Sequence, residues 1–264
     1  MRAIPAELDP AVVADIDARL EGVIAEHGVR IPWAIESGSR AWGFPSPDSD
    51  YDCRFIFVRR AEQYLGLWPE RDVIETPLDA VLDVNGWDLA KAVRLVVKGN
   101  AVTVEWLRSP IIYSGDAAFR ERMLQFAEQV AERPLIGRHY LHVAQKQLVV
   151  KPTLKRFFYA LRPAAVLRWL HDNPDSAMPP MDLPRLLAET TAGDDVRAAA
   201  SDLIAAKAVT RELGTGTPPP LLERFVADEL ERAAPFDELV PTKSTTEVKA
   251  LADAFFRSEL ALHA

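Results

Sequence analysis

The 264-residue chain has a single cysteine, five histidines and 12 glycines. A lone Cys53 excludes a disulfide framework, and inside an apolar stretch it reads as a small buried hydrophobe. His139 and His142 have no acidic or cysteine neighbour in sequence, which argues against a zinc pair. No Gly-rich Walker loop, Gly-x-Gly-x-x-Gly fingerprint or Gly-x-Ser-x-Gly elbow occurs. The chemistry of P-loop NTPases, dinucleotide-dependent enzymes and α/β-hydrolases is therefore not expected. Apolar runs such as Ala101–Val104 and Pro163–Leu167 fall far short of the ~20 residues a membrane span needs. The N-terminus has no basic segment leading into an apolar core. The expectation is a soluble, cytoplasmic protein with no membrane partner.

Acid is also missing where it would be noticed. Between Glu132 and Asp172 there is no Asp or Glu, yet the segment carries Arg133, Arg138, Lys146, Lys151, Lys155, Arg156, Arg162 and Arg168. A chain of net charge −8 thus holds one basic strip, a distribution suited to a phosphate-bearing ligand. Long cations solvating a helix face would give the same composition.

With 48% hydrophobic and 27% charged residues, the chain has enough apolar material for one large domain or two small ones. Apolar residues at Val12, Val13, Ile16, Leu20, Val23 and Ile24 predict a helix over Pro10–His27 that stops at Gly28. Strands are expected at Val29–Ile35, Asp50–Arg59, Asp72–Thr76 and Ala80–Val84. Asp88 is placed to cap a helix reaching about Lys98. Beyond it the pattern is almost wholly helical: Ala101–Leu107, Ala117–Glu132, Arg138–Val150, Leu154–His171, Leu183–Glu189, Asp194–Glu212, Leu221–Ala233 and Thr246–Ala261. The expected fold class is α+β: a small mixed sheet in residues 1–110, then a helical domain over 111–264.

The chemistry concentrates in Gly38-Ser39-Arg40-Ala41-Trp42-Gly43-Phe44 and, after a Pro-rich step, Ser49-Asp50-Tyr51-Asp52. In an extended strand Asp50 and Asp52 share a face, roughly 6.6 Å apart along the strand, while Tyr51, Cys53, Phe55 and Phe57 turn to the core. Two close carboxylates repel unless a cation lies between them. Mg²⁺ or Mn²⁺ suits such oxygen donors and is commonly shared with substrate phosphates. Gly38, lacking a Cβ, lets backbone N–H groups and the Ser39 hydroxyl approach those phosphates where a helix begins. Arg40 adjoins the same turn and is either a phosphate contact or a surface ion pair. The alternative for Asp50 and Asp52 is neutralisation by Arg54 or Arg59.

This combination resembles the nucleotidyltransferases of the DNA polymerase beta superfamily, whose signature is a Gly-Ser turn and helix followed by Asp-x-Asp on a strand. The likeness extends to Asn85-Gly86-Trp87-Asp88-Leu89, Glu105-Trp106-Leu107-x-Ser109-Pro110 and Phe158-Tyr159-Ala160-Leu161-Arg162-Pro163. Over about residues 30–170 these segments look like the YcgL-type nucleotidyltransferases, also described as polymerases associated with RNA ligases. The resemblance implies transfer of a nucleoside monophosphate from an NTP to an acceptor, an RNA end being the leading candidate, with release of pyrophosphate.

The resemblance also implies a third carboxylate on a neighbouring strand. Leu82-Asp83-Val84 fits that pattern, so Asp50, Asp52 and Asp83 form the expected catalytic and metal-binding set. Asp88 is the competitor, equally explained as a helix cap. Gly38, Ser39 and Arg40 are the expected nucleotide contacts. Lys155 and Arg162, seven apart on one helix face, would close over the triphosphate or hold an RNA end. Trp42 and Phe44 are read as packing residues. A second functional class is a nucleotide- or protein-binding regulatory module of the same fold, antitoxin-like, without turnover.

Overall fold

The computed structural model describes residues 1–79, 81–149, 153–210 and 216–262. Lys151 and the predicted element ends at Ala80, Val150 and Glu212 lie outside the described residues. The Asp9 carboxylate accepts from the Ala11 N–H at 2.9 Å and starts α1 (Pro10–His27). This helix presents Val13, Ile16, Leu20 and Val23 to the core. Five strands follow: β1 (Arg30–Glu36), β2 (Tyr51–Val58), β3 (Val73–Glu75), β4 (Leu82–Asp88) and β5 (Ile112–Gly115). They form one sheet in the order β3-β4-β2-β1-β5. β2 and β4 run parallel and every other pair is antiparallel, so the sheet is mixed as expected.

Between β1 and β4 lie the one-turn helices α2 (Gly38–Ala41) and α3 (Ala61–Tyr64). After β4 come α4 (Leu89–Val97), α5 (Val102–Arg108), α6 (Ala117–Val130), α7 (Arg133–Leu148), α8 (Leu154–Asp172), α9 (Leu183–Ala188), α10 (Asp194–Ala208), α11 (Pro220–Ala233) and α12 (Thr245–Leu262). No helix among the described residues is long and apolar enough to cross a membrane.

The period-two alternation of β2 sorts its side chains between two cores. Tyr51, Cys53, Phe55 and Phe57 are buried in the layer that contains the stripe of α1. Ile56 and Val58 pack on the opposite face with residues of α4, α5 and α6. A third core joins α7 to α11 around α8 and takes in Phe44 from the sheet half. The helices that cover Ile56 and Val58 leave the start of β2 uncovered on that same face. Asp52 and Arg54 stand there, only partly buried.

Three elements depart from the pattern read in the sequence. β5 falls in a stretch expected to be helical or connecting, because four residues between the Pro110 turn and α6 carry too little periodicity to signal a strand. Its pairing with β1 means the sheet runs past the boundary expected at residue 110. β4 continues to Asp88, held in parallel register with β2 beyond the strand end expected at Val84. The C-terminal α12 returns to the sheet half: Phe255 stacks on Phe126 at 4.6 Å, and Arg122 pairs with buried Glu259.

Candidate active site

β2 and β4 set the site. Their parallel register places Asp52 directly opposite Asp83, and Cys53 opposite Val84. One nitrogen of Arg54 joins the two acids, with Nη2 2.8 Å from Asp52 Oδ1 and 2.7 Å from Asp83 Oδ2. Asn85 adds an N–H donor to Asp83 Oδ1 at 3.1 Å. Burial raises the Asp52 carboxyl above the usual range; Arg54 opposes this, while the neighbouring charges of Asp83 and Asp50 push it further up. Asp50 itself precedes the strand, which begins at Tyr51, and is exposed. Asp50, Asp52 and Asp83 are therefore electrostatic neighbours, although Asp50 does not share a strand face with Asp52. Asp88 is elsewhere: buried, it caps α4 through Ala90 N–H at 2.7 Å and lies 3.6 Å from Arg59 Nε.

The Gly-Ser turn abuts these acids. Gly38 has φ +61, and a Cβ built there would lie 2.1 Å from Asp52 Oδ2. Any other residue at 38 would be strained in backbone and would displace the carboxylate. The turn is locked to the strand below it by Ser37 N–H donating to the Asp52 carbonyl at 2.9 Å. Ser39 donates to Ser49 Oγ at 2.9 Å, tying the turn to the loop that bears Asp50. α2 is only four residues long, so its dipole contributes little, and close backbone approach is what the turn offers a phosphate.

Arg40 holds the same loop: its guanidinium donates to the carbonyls of Ser49 (2.6 Å) and Asp50 (3.2 Å) and lies 3.8 Å above the Tyr51 ring. Arg162 is not brought to the site. It is buried, paired with Glu105 at 2.8 Å, donates to the Met181 carbonyl at 2.7 Å and lies under Trp42. Its charge answers the buried Glu105 and leaves no face for a nucleotide. Phe44 is a core residue, stacked on Phe158 at 4.8 Å, and Trp42 meets Tyr159 edge-on. The basic strip divides: Arg133, Arg138, Arg162 and Arg168 are bound to carbonyls or carboxylates, whereas Lys155 is exposed. Tyr159 on α8 is half-buried beside the acids. Burial, then Asp52 and Asp50, raise its hydroxyl pKa and keep it a proton donor at neutral pH.

Sequence reasoning missed Glu36. It is fully buried at the end of β1, accepts from the Asp52 N–H at 3.0 Å and from the Tyr113 hydroxyl at 2.6 Å. Alternation offered the signal, since Glu36 follows Ala34 onto the α1 face of the sheet. Burial pushes its pKa up to about 7 against these two hydrogen bonds. Folding therefore holds the proton more tightly than the unfolded chain does. Glu36 alone therefore takes away about 3 kcal/mol of stability as pH rises from about 4.5 to about 7. Glu36→Gln keeps an acceptor for Asp52 and a partner for Tyr113. Urea denaturation of the protein without added metal should show the variant more stable above pH 7 by up to this amount, and equal to the parent near pH 4.

The donor chemistry at Asp50, Asp52 and Asp83 fits a hard divalent cation: three carboxylates, with Asp52 Oδ2 and the Asp50 carboxylate accepting no hydrogen bond among the described residues. Arg54 stands between two of them, and no three His, Cys, Asp or Glu side chains among the described residues are arranged to hold a metal ion. A divalent ion held by Asp52 and Asp83 would have to take over the contact Arg54 makes.

Comparison with known proteins places this geometry. Residues 12–258 match the RNA repair pathway DNA polymerase beta family, RlaP. The chain belongs to that family. It is also 35% identical over 218 residues to the uncharacterized protein YcgL of Bacillus subtilis (strain 168), covering 81% of this chain and 83% of that protein. The family is a polymerase-beta-like nucleotidyltransferase family of an RNA repair pathway. Outside the acid site, Trp87 packs on Trp106 at 4.1 Å, Ser109 donates to the Glu36 carbonyl, and Glu105 meets Arg162.

Proposed function

We propose that the protein transfers a nucleoside monophosphate from an NTP to an acceptor hydroxyl, with release of pyrophosphate. The observation that carries this reading is Asp52 and Asp83 side by side on the open face of β2 and β4, with the Gly38 backbone against Asp52. Asp50, Asp52 and Asp83 would hold Mg²⁺ or Mn²⁺. Bound there, the ions would supply Lewis-acid stabilisation of the attacking and leaving oxygens. Gly38 and Ser39 receive the phosphate tail through backbone N–H groups and a hydroxyl. Asp83, on the edge of the pair, accepts the proton of the acceptor hydroxyl as it attacks the α-phosphorus and pyrophosphate leaves. Arg54 swings off the acid pair as charge gathers on the phosphates. The acceptor is an RNA end, consistent with the family's RNA repair description.

One observation favours a second reading. Arg54 already neutralises Asp52 and Asp83, as in a module that binds nucleotide or a partner protein without turnover. Incubation with each α-labelled NTP, Mg²⁺ or Mn²⁺ and a pool of short RNAs separates the two. Transfer predicts label in RNA and an equal yield of pyrophosphate. Nucleotide binding with neither product would put the non-catalytic module in its place.

A further inference from the structure

β3 is an edge of the sheet, and part of its backbone is unused. The Asp72 carbonyl accepts from the Asp88 N–H at 3.0 Å, and the Thr76 N–H donates to the Val84 carbonyl at 3.0 Å. Residues 72, 74 and 76 therefore turn their backbone groups toward β4, and Val73 and Glu75 turn theirs outward. Among the described residues nothing pairs with those outward groups. Sheet edges are ordinarily guarded by Lys or Pro in the strand or by a bulge, and Val73-Ile74-Glu75 has none of these.

Apolar side chains flank the open edge. Leu65, Leu67 and Trp68, in the loop that leads to β3, are 85%, 85% and 83% exposed, and Leu78, just beyond β3, is 75% exposed. The loop is pinned at both ends. The Tyr64 hydroxyl donates to Asp88 at 3.1 Å and its ring meets Phe256 edge-on, while Arg59 donates to the Arg71 carbonyl at 3.0 Å. A patch of roughly 400–500 Å² held on a fixed base is of the size that marks an interaction surface.

We propose that two copies of the chain join through β3, antiparallel about a two-fold axis at Ile74, into one continuous sheet. This register sets Val73 of each copy opposite Glu75 of the other and pairs all the outward N–H and C=O groups. It also brings Arg71 diagonally against Glu75 of the second copy, within reach of a long side chain. Arg71 and Glu75 are both exposed and meet each other at 2.5 Å within one copy, so they stand on one face of the edge. An axis moved to Glu75 would set Glu75 against Glu75. Antiparallel pairing also runs the segment before β3 alongside the segment after it, which carries Leu67 and Trp68 of one copy toward Leu78 of the other. Two such patches shared remove about 1,000 Å² from water, what a specific interface needs. The edge is thus complementary to itself in backbone, charge and apolar surface, and it lies apart from the acid site.

Sedimentation velocity of the full-length protein between about 1 and about 100 μM tests the pairing. The parent should shift from monomer to dimer with concentration, and Trp68→Ser should weaken the dimer about tenfold or more. Arg71→Glu places like charges across the axis, and so does Glu75→Arg, so each variant alone should sediment as a monomer. Mixed in equal amounts, those two variants should form a dimer, because each then offers the charge the other lacks. A parent that stays monomeric throughout overturns the proposal and leaves the edge to a strand of a different protein. A dimer undiminished by Trp68→Ser or by either charge reversal also overturns it, as do charge variants that stay monomeric when mixed.

Discussion

Asp52→Asn should reduce nucleotide transfer by about a thousandfold or more while leaving the protein folded. The size of the effect follows from position. Asp52 joins three parts of the site: its carboxylate faces Gly38 across a gap too small for a methyl group, shares Arg54 with Asp83, and feels the charge of Asp50. Its backbone is fixed from both sides by Ser37 and Glu36. Asparagine keeps the shape and an acceptor for Arg54, and removes one of two close like charges, so nothing in the fold opposes the change. The check is the α-label assay together with a urea midpoint for the same preparation. Loss of label with an unchanged or higher midpoint is the expected pair of results.

The second large effect is on stability. Arg162→Met should cost about 3–5 kcal/mol, because it leaves Glu105 charged, buried and held, among the described residues, only by the Tyr140 hydroxyl. Combining Arg162→Met with Glu105→Gln should recover most of that loss, since the orphaned charge disappears while Tyr140 keeps its acceptor. The pair spans α5 and α8, so it fastens the sheet half to the helical half. Urea denaturation of the two single variants and the double variant measures the coupling. If Arg162 bound nucleotide instead, Arg162→Met would leave the urea midpoint alone and raise only the KM for NTP.

These two cases show what the sequence could carry. Asp52 and Asp83 were legible because strand alternation and a local motif both act over a few residues: Tyr51, Cys53, Phe55 and Phe57 had to face inward, which left Asp52 facing out. Asp50 was placed one residue too far into the strand. β2 begins at Tyr51, where the N–H meets the Val81 carbonyl, and local alternation does not mark where pairing starts. Arg162 read as a nucleotide contact because charge in sequence does not reveal burial. Its partner Glu105 is 57 positions away, and only the tertiary fold joins them. β5 was too short to announce itself, and its place beside β1 is decided by the sheet. Glu36 was legible in retrospect. It breaks an otherwise apolar periodic face, and a charged residue at a core position is a signal of use as much as of misfit.

Arg54 is the hinge of the functional account. It is the cation that settles two adjacent acids and, on the proposed reading, the group a divalent ion would have to replace. Removing it should therefore make ion binding easier as surely as removing Asp52 makes it harder.

Electron paramagnetic resonance of Mn²⁺ titrated into the protein with NTP tests the central claim most directly. The parent should convert free Mn²⁺ to a bound signal, Asp52→Asn and Asp50→Ala should abolish that conversion, and Arg54→Met should shift it to lower Mn²⁺ concentration. Mn²⁺ uptake identical in the parent and Asp52→Asn would contradict the account and leave the acid pair as an internal salt bridge.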